Sequence, residues 1–205
     1  MPIATSDSLP ASATPRRRPS PWLLLAIAFL VANAIALAIA LRLATRGPAP
    51  VADVPLTDQD GHVTRWSDYR GRHVIVYFGY TGCPDVCPTG LTDLAHAIRG
   101  LGAAARDVQV LFVSLDPTAD TPAQLKRYVP YFHPAFRGLV PAPDRLAEVT
   151  REFGATFRRV SLPGGGTRIE HSTTCYILNP RGQIDGFFLT PVSTEALRRQ
   201  LGLAS

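Results

Sequence analysis

The run His73-Val74-Ile75-Val76-Tyr77-Phe78-Gly79-Tyr80-Thr81-Gly82-Cys83-Pro84-Asp85-Val86-Cys87-Pro88 decides how this chain is read. Its first six residues are a short apolar stretch that reads as a buried strand. Such a strand delivers both cysteines onto an exposed turn at its end, where chemistry usually sits in an open sheet. Two prolines, an aspartate and a glycine mark the segment as a turn and not a core stretch. The spacing is C-x-x-x-C, not the C-x-x-C of a standard dithiol oxidoreductase. On a helical turn, positions i and i+4 share one face. Two thiolates placed this way can converge on one soft metal ion, with copper(I) the first candidate. They can equally close a Cys83–Cys87 disulfide, so the motif alone leaves metal and redox chemistry both open.

The chain has 205 residues and 46% hydrophobic ones, enough for one ordinary domain and an appendage. Its net charge is +5, but residues 1–47 carry +4 of it, from Arg16, Arg17, Arg18, Arg42 and Arg46 against Asp7. A nucleic-acid binder needs a basic stripe on the folded domain, and this chain has none to spare. The charge belongs to a membrane signal instead. Residues 22–41 hold no charged side chain and one polar one, Asn33; about 20 such residues span a bilayer core. Arg16–Arg18 precede the stretch, so the positive-inside rule predicts a cytoplasmic tail over residues 1–21 and a large domain outside. A cleaved signal peptide is the competing reading, but its apolar region is shorter, roughly 7–15 residues. The expected organisation is a disordered tail (1–21), a single-pass inner-membrane anchor (22–41), a linker (42–51) and a periplasmic domain (52–205). In that oxidising compartment idle dithiols tend to become disulfides. Three cysteines leave one over: Cys175, in the strand-like run Thr173–Leu178, reads as a buried free thiol.

Along the domain, Asp60-Gly61 between short strand-like runs signals an N-terminal hairpin over Leu56–Thr64. Apolar residues at Leu91, Leu94, Ala95 and Ile98 predict a helix over Thr89–Arg99, with Gly100 placed to stop it. Val108–Leu115 reads as a second buried strand. Thr121 caps a helix opening at Pro122 and running to about Val129. A third helix is expected over Asp144–Phe153. Strands follow near Thr156–Val160, Thr173–Leu178 and Ile184–Leu189, with a closing helix over Thr194–Leu201. The alternation predicts an α/β fold around a central sheet. With the cysteines after the first long strand, the architecture is thioredoxin-like, with the hairpin as an N-terminal extension and one transmembrane helix before it. Leu162-Pro163-Gly164-Gly165-Gly166-Thr167 is a glycine-rich loop.

Five histidines are available. His62, His73, His96 and His133 sit in a turn, at a strand start, on a helix and beside a proline. His171 differs, because it opens the strand whose approach faces the cysteine turn in a thioredoxin-like sheet. A neutral imidazole there completes a Cys-Cys-His set that suits copper in either oxidation state. A closed zinc site would want a fourth ligand.

Three motifs in order, FGYTGCPDVCP, SLDPTADTP at Ser114–Pro122 and HSTTCYILNPRG at His171–Gly182, resemble the Sco/SenC family over about residues 52–203. The resemblance implies a membrane-anchored, thioredoxin-like copper chaperone for cytochrome c oxidase assembly, with Cys83, Cys87 and His171 as copper ligands. It implies as partners the copper-bearing oxidase subunit and a periplasmic copper chaperone or thiol reductant. Glu170, Asn179, Cys175 and Gly82 depart from the common pattern without removing a ligand. A thiol-disulfide reductase using Cys83 and Cys87 is the alternative, and His171 discriminates, since dithiol exchange does not need it.

Overall fold

The computed structural model describes residues 20–44, 48–163, 165 and 167–203. The expected tail therefore lies, up to residue 19, outside the described residues, as do Gly164 and Gly166 of the glycine-rich loop. Two compact units divide the chain, one through Gly47 and one from Pro48 onward.

The first unit contains one helix, α1 (Pro21–Ala44), opened by the Ser20 hydroxyl accepting from the Leu23 N–H at 3.3 Å. Over Pro21–Arg42 its mean hydropathy is 2.7, so it is long and apolar enough to cross a membrane. Its one uncharged polar side chain turns inward: Asn33 Nδ2 donates to the Phe29 carbonyl at 2.8 Å. That bond matters where no water can satisfy the amide.

The second unit is built on a seven-stranded sheet in the order β2-β1-β5-β4-β3-β8-β9. Its strands are β1 (Leu56–Asp58), β2 (Val63–Thr64), β3 (His73–Gly79), β4 (Val108–Ser114), β5 (Arg137–Pro141), β8 (Thr174–Leu178) and β9 (Ile184–Leu189). β3 and β4 run parallel through the centre, with Tyr77 opposite Phe112; β8 pairs antiparallel to β3, with Tyr77 opposite Cys175. A separate ribbon pairs β6 (Phe157–Ser161) with β7 (Thr167–His171). The helices are α2 (Val86–Gly100), α3 (Pro122–Phe132), α4 (Leu146–Glu152) and α5 (Thr194–Gln200). The thioredoxin-like α/β arrangement and the N-terminal hairpin, β1 with β2, are as expected.

At the centre of the sheet, in β3 and β4, successive residues point to opposite sides and both faces are buried. On one side Tyr77 and Phe112 meet Tyr128 of α3, with Phe112–Tyr128 centroids 5.7 Å apart. On the other, Phe78 packs edge-on against Phe153 and Tyr176, and Trp66 closes the cluster on Phe153. A fully buried side chain of this kind contributes about 1.5–3 kcal/mol. Pro48 and Val51, within the expected linker, are bonded to this unit through the Gln183 side chain and the Gly182 carbonyl.

Several expectations need correction. β5 has no counterpart in the reading of the sequence. Gly138, its second residue, breaks the strand pattern, yet a side chain there would put its Cβ 2.7 Å from Leu125 Cβ, so the glycine is what lets α3 lie on the strand. α3 continues past Val129 through Pro130 to Phe132, because the buried faces of Val129 and Phe132 outweigh one lost helical bond. Gly100 does not stop α2; it is the last helical residue, and a side chain there would collide with Thr194. Thr121 caps α3 as expected, in a box with Gln124.

Candidate metal centre

The sulfur half of the site is built into the core. β3 ends at Gly79, and the loop Tyr80–Asp85 leads into α2. The Tyr80 carbonyl accepts from the Cys83 N–H at 3.2 Å. Thr81 is held through its N–H and its hydroxyl by the buried Asp120 carboxylate, at 3.2 and 2.5 Å, and Ser114 donates to the same carboxylate at 2.6 Å. Three donors therefore converge on one acid and lock the cysteine loop to the end of β4.

The thiols do not sit on an exposed turn. Cys83 is 8% exposed and Cys87 fully buried. The reason is that α2 begins at Val86, three residues before the expected Thr89, so Cys87 falls in its first turn and points beneath the helix. Gly79 makes room for it: a Cβ there would lie 2.9 Å from Cys87 Sγ and 2.7 Å from the Phe112 ring. The Cys87 N–H points at Cys83 Sγ, 3.4 Å away, in the place a side-chain oxygen usually takes at a helix start. Asp85, the N-cap residue, is exposed and makes no side-chain cap. Burial pushes the Cys87 thiol well above the ordinary thiol range, and the neighbouring Cys83 adds to this.

The nitrogen half comes from the ribbon. His171 is the last residue of β7, opposite Phe157, and not the opening of β8. Its Nδ1 lies 2.8 Å from the Ser172 carbonyl. A carbonyl can only accept, so Nδ1 carries the proton and Nε2 keeps its lone pair. That Nε2 lies 3.3 Å from Cys87 Sγ. Burial holds the His171 pKa below the ordinary histidine value, which favours the neutral ring. Two ties dock the ribbon at this place: the Ile169 N–H donates to Tyr80 Oη at 3.3 Å, and Arg159 pairs with Asp116 at 2.9 Å. The Tyr80 ring also meets His171 edge-on, at 6.2 Å. Glu170 bridges Arg158 and Arg168 at 2.6 and 2.7 Å on the exposed side.

The sulfurs of Cys83 and Cys87 and a ring nitrogen of His171 lie within 4.8 Å of one another, the sole such group among the described residues. Two sulfurs and one neutral imidazole are a soft, low-coordinate donor set, and the carbonyl on the ring's other nitrogen is the kind of partner that ligating histidines usually have. The other four histidines lie elsewhere. Cys175 is fully buried in β8 as a free thiol. Cys83 and His171 open into a cleft of about 420 Å³ lined also by Tyr80, Asp85, Val86, Arg168 and Thr173, while Cys87 lies behind it. A larger cleft of about 620 Å³ between α2 and α3 contains no thiol or imidazole, so size does not mark the chemistry here. Asp120, Tyr80 and the Ser172 carbonyl were not singled out from sequence; only their lying within or beside the quoted motifs pointed to them.

Comparison with known proteins agrees with this geometry. Residues 45–202 match the family model described as SCO1/SenC. The bovine (Bos taurus) mitochondrial SCO2 homolog is 36% identical over 153 residues, covering 71% of this chain. The alignment takes in 56% of the bovine protein, so this chain spans little more than half of that relative. The structure of Bradyrhizobium japonicum ScoI with copper bound gives a TM-score of 0.70 at 30% identity, over 76% of this chain and 100% of that one. Arabidopsis thaliana ScoI with copper bound gives 0.69 at 28% identity, over 75% and 99%. The family match runs across nearly all of the compact unit that begins at Pro48, and by it the chain belongs to the SCO1/SenC family.

Proposed function

We propose that this chain is a membrane-anchored copper metallochaperone that delivers copper to the copper centre of cytochrome c oxidase during its assembly. Copper is its cargo, held by Cys83, Cys87 and His171. The observation that carries the reading is the His171 ring: its proton is committed to the Ser172 carbonyl while its bare nitrogen faces the buried Cys87 sulfur. A dithiol exchanger has no use for that nitrogen, and a soft metal ion does. The copper-bound relatives of the same fold support the choice of metal.

In this reading residues 1–21 are a cytoplasmic tail, residues 22–41 the inner-membrane anchor, 42–51 a linker and 52–205 the periplasmic copper-binding domain. The copper-bearing oxidase subunit receives the cargo, and a periplasmic copper chaperone supplies it. Exchange with a periplasmic disulfide oxidises Cys83 and Cys87 to a disulfide, passes their two electrons and two protons to that partner, and withdraws both sulfurs from the metal. A periplasmic dithiol restores them by thiol-disulfide exchange, becoming oxidised itself. In the alternative, in which this chain is itself the reductase, the bare His171 nitrogen beside Cys87 is left without a role.

Titration of the reduced full-length protein with copper tests the proposal. One ion binds per chain, and its copper(II) form shows strong thiolate-to-metal absorption. The Cys83→Ala/Cys87→Ala variant loses affinity by on the order of a thousandfold or more, as expected when both soft ligands are gone. Full affinity in that variant would show the assignment to be wrong.

A further inference from the structure

A cluster of cationic and hydrogen-bond-donating side chains stands at the other end of the parallel strands from the copper site. The cysteine loop follows Gly79, where β3 ends, whereas Arg72 stands just before β3 and Val108 opens β4 beside it. Strands of seven residues put these two ends about 20 Å apart. A cleft of about 240 Å³ lies at the lower end, with Arg72, Arg106 and His133 in its wall beside the apolar Ile98, Val110 and Phe136. His133 stacks on Phe136 with ring centroids 4.9 Å apart. Its Nδ1 accepts from the Ala135 N–H at 3.2 Å, so Nε2 carries the proton and can donate it. The Arg72 guanidinium is anchored on the Gln109 side chain and the Val108 carbonyl, at 3.0 and 2.9 Å, yet its Nε is buried without a partner. Arg99 donates to the Phe132 carbonyl at 2.7 Å, and its charge, after burial, holds the His133 pKa below the ordinary histidine value.

What this cluster lacks is an acid. Among the described residues no carboxylate lies within 4.0 Å of Arg72, Arg99 or Arg106, that of the adjacent Asp107 included. No carboxylate lines the cleft either. The three arginines of the β6–β7 ribbon, by contrast, all pair with one. A cation at the C-terminal end of α3 is favourable in itself, which accounts for Arg99. It does not account for Arg72, in the turn before β3.

We propose that this cleft is a second binding site, for a small carboxylate that carries an apolar group. The planar guanidinium fork matches the two oxygens of a carboxylate. Arg72, Arg106 and the His133 Nε2–H supply the donors, and Ile98, Val110 and Phe136 take the apolar part. A bare phosphate would set unpaired oxygens against those walls and lose their hydration for nothing. The cleft is smaller than the roughly 300–1,000 Å³ of sites for drug-sized ligands, which limits the guest to a small acid or the last residue of a chain. A free organic acid and a peptide C-terminus with an apolar last residue present the same chemistry here. The site stands apart from the copper ligands and does not rest on the copper function.

The test titrates the reduced full-length chain, in detergent, with 3-phenylpropionate as the free acid and with N-acetyl-alanyl-phenylalanine as the chain terminus. The amide of each is the uncharged control. Calorimetry reads the affinity, and the Arg72 Nε–H resonance reports whether the guest arrives at this cleft. At least one carboxylate binds and moves that resonance, and its amide binds roughly tenfold or more weakly, as for loss of hydrogen bonds to a charged group. The tighter of the two carboxylates names the source of the guest. Arg106→Ala, at an exposed position, weakens binding by a similar factor. Arg72→Lys keeps the charge, loses the fork and weakens binding as well; if that variant does not fold, Arg106→Ala alone decides. No binding of either carboxylate at millimolar concentration overturns the site. So does equal binding of acid and amide, an unmoved Arg72 resonance, or unaltered affinity in Arg106→Ala.

Discussion

The two halves of the donor set are held in different ways. Cys83 and Cys87 lie at the end of the central strands, under α2, with a buried carboxylate locking their loop and a glycine cut to fit one sulfur. His171 is carried by a two-stranded ribbon outside the main sheet. One buried backbone bond to Tyr80 and one part-exposed ion pair dock that ribbon. The contrast teaches that the sulfur pair is a fixed feature of the core, whereas the imidazole is an adjustable third ligand. Breaking the core should cost stability and binding together. Loosening the ribbon should change which oxidation state is preferred.

The largest effect is expected at Asp120. Asp120→Ala strands the donors of Thr81 and Ser114 in a buried place, costing about 3 kcal/mol of unfolding free energy in a denaturant titration. Copper(I) affinity falls with it. An Asp120→Ala protein of unchanged stability would show that the cysteine loop is held by something else.

Alkaline titration tests how deeply the sulfur half is embedded. Burial raises the pKa of both Cys87 and Cys175 above their unfolded value of 9.0. Below that pH both states keep the proton, so stability does not depend on these groups. Above it the unfolded chain releases protons that the folded chain retains, so apo stability falls as pH rises. The slope is about 1.4 kcal/mol per pH unit for each thiol. Cys175→Val should remove about half of the thiol-linked slope between pH 9 and 10, before the tyrosines join.

His171→Ala should separate the halves. Two sulfurs alone can hold a linear copper(I), whereas copper(II) wants more ligands and takes nitrogen well. Copper(II) affinity should fall roughly tenfold further than copper(I) affinity, by competition with chelators of known strength. Equal losses would mean that the ring belongs to the fixed half. The smallest effect is expected at Tyr80→Phe, which deprives the Ile169 N–H of its acceptor. It should cost about 1 kcal/mol of stability and reproduce a fraction of the His171→Ala pattern.

What was legible in the sequence follows the same division. The strand before the cysteines, the α/β alternation and the Thr121 cap were readable because each is encoded locally. His171 stood out through its place before a strand with a buried pattern. Of the ribbon, β6 was expected near Thr156–Val160 but its partner β7 was not, since Thr167–His171 offers a single apolar residue, Ile169, and follows a run of glycines. β5 escaped because its glycine is explained only by Leu125, a residue distant in sequence. Burial of the thiols was missed for a smaller reason: a helix beginning three residues early turns a side chain from the solvent to the core. Asp120 looked like one more loop acid, and only the fold reveals the three donors gathered on it.

The contact between the Cys87 amide and the Cys83 sulfur has one more consequence. A backbone proton at the first turn of α2 rests on a sulfur whose electron density changes whenever that sulfur meets a metal or a second sulfur. The Cys87 amide resonance is thus a built-in gauge of cargo. Its chemical shift should take separate values in the reduced, disulfide and copper-loaded forms, so one NMR signal reads the loading state with no label near the site.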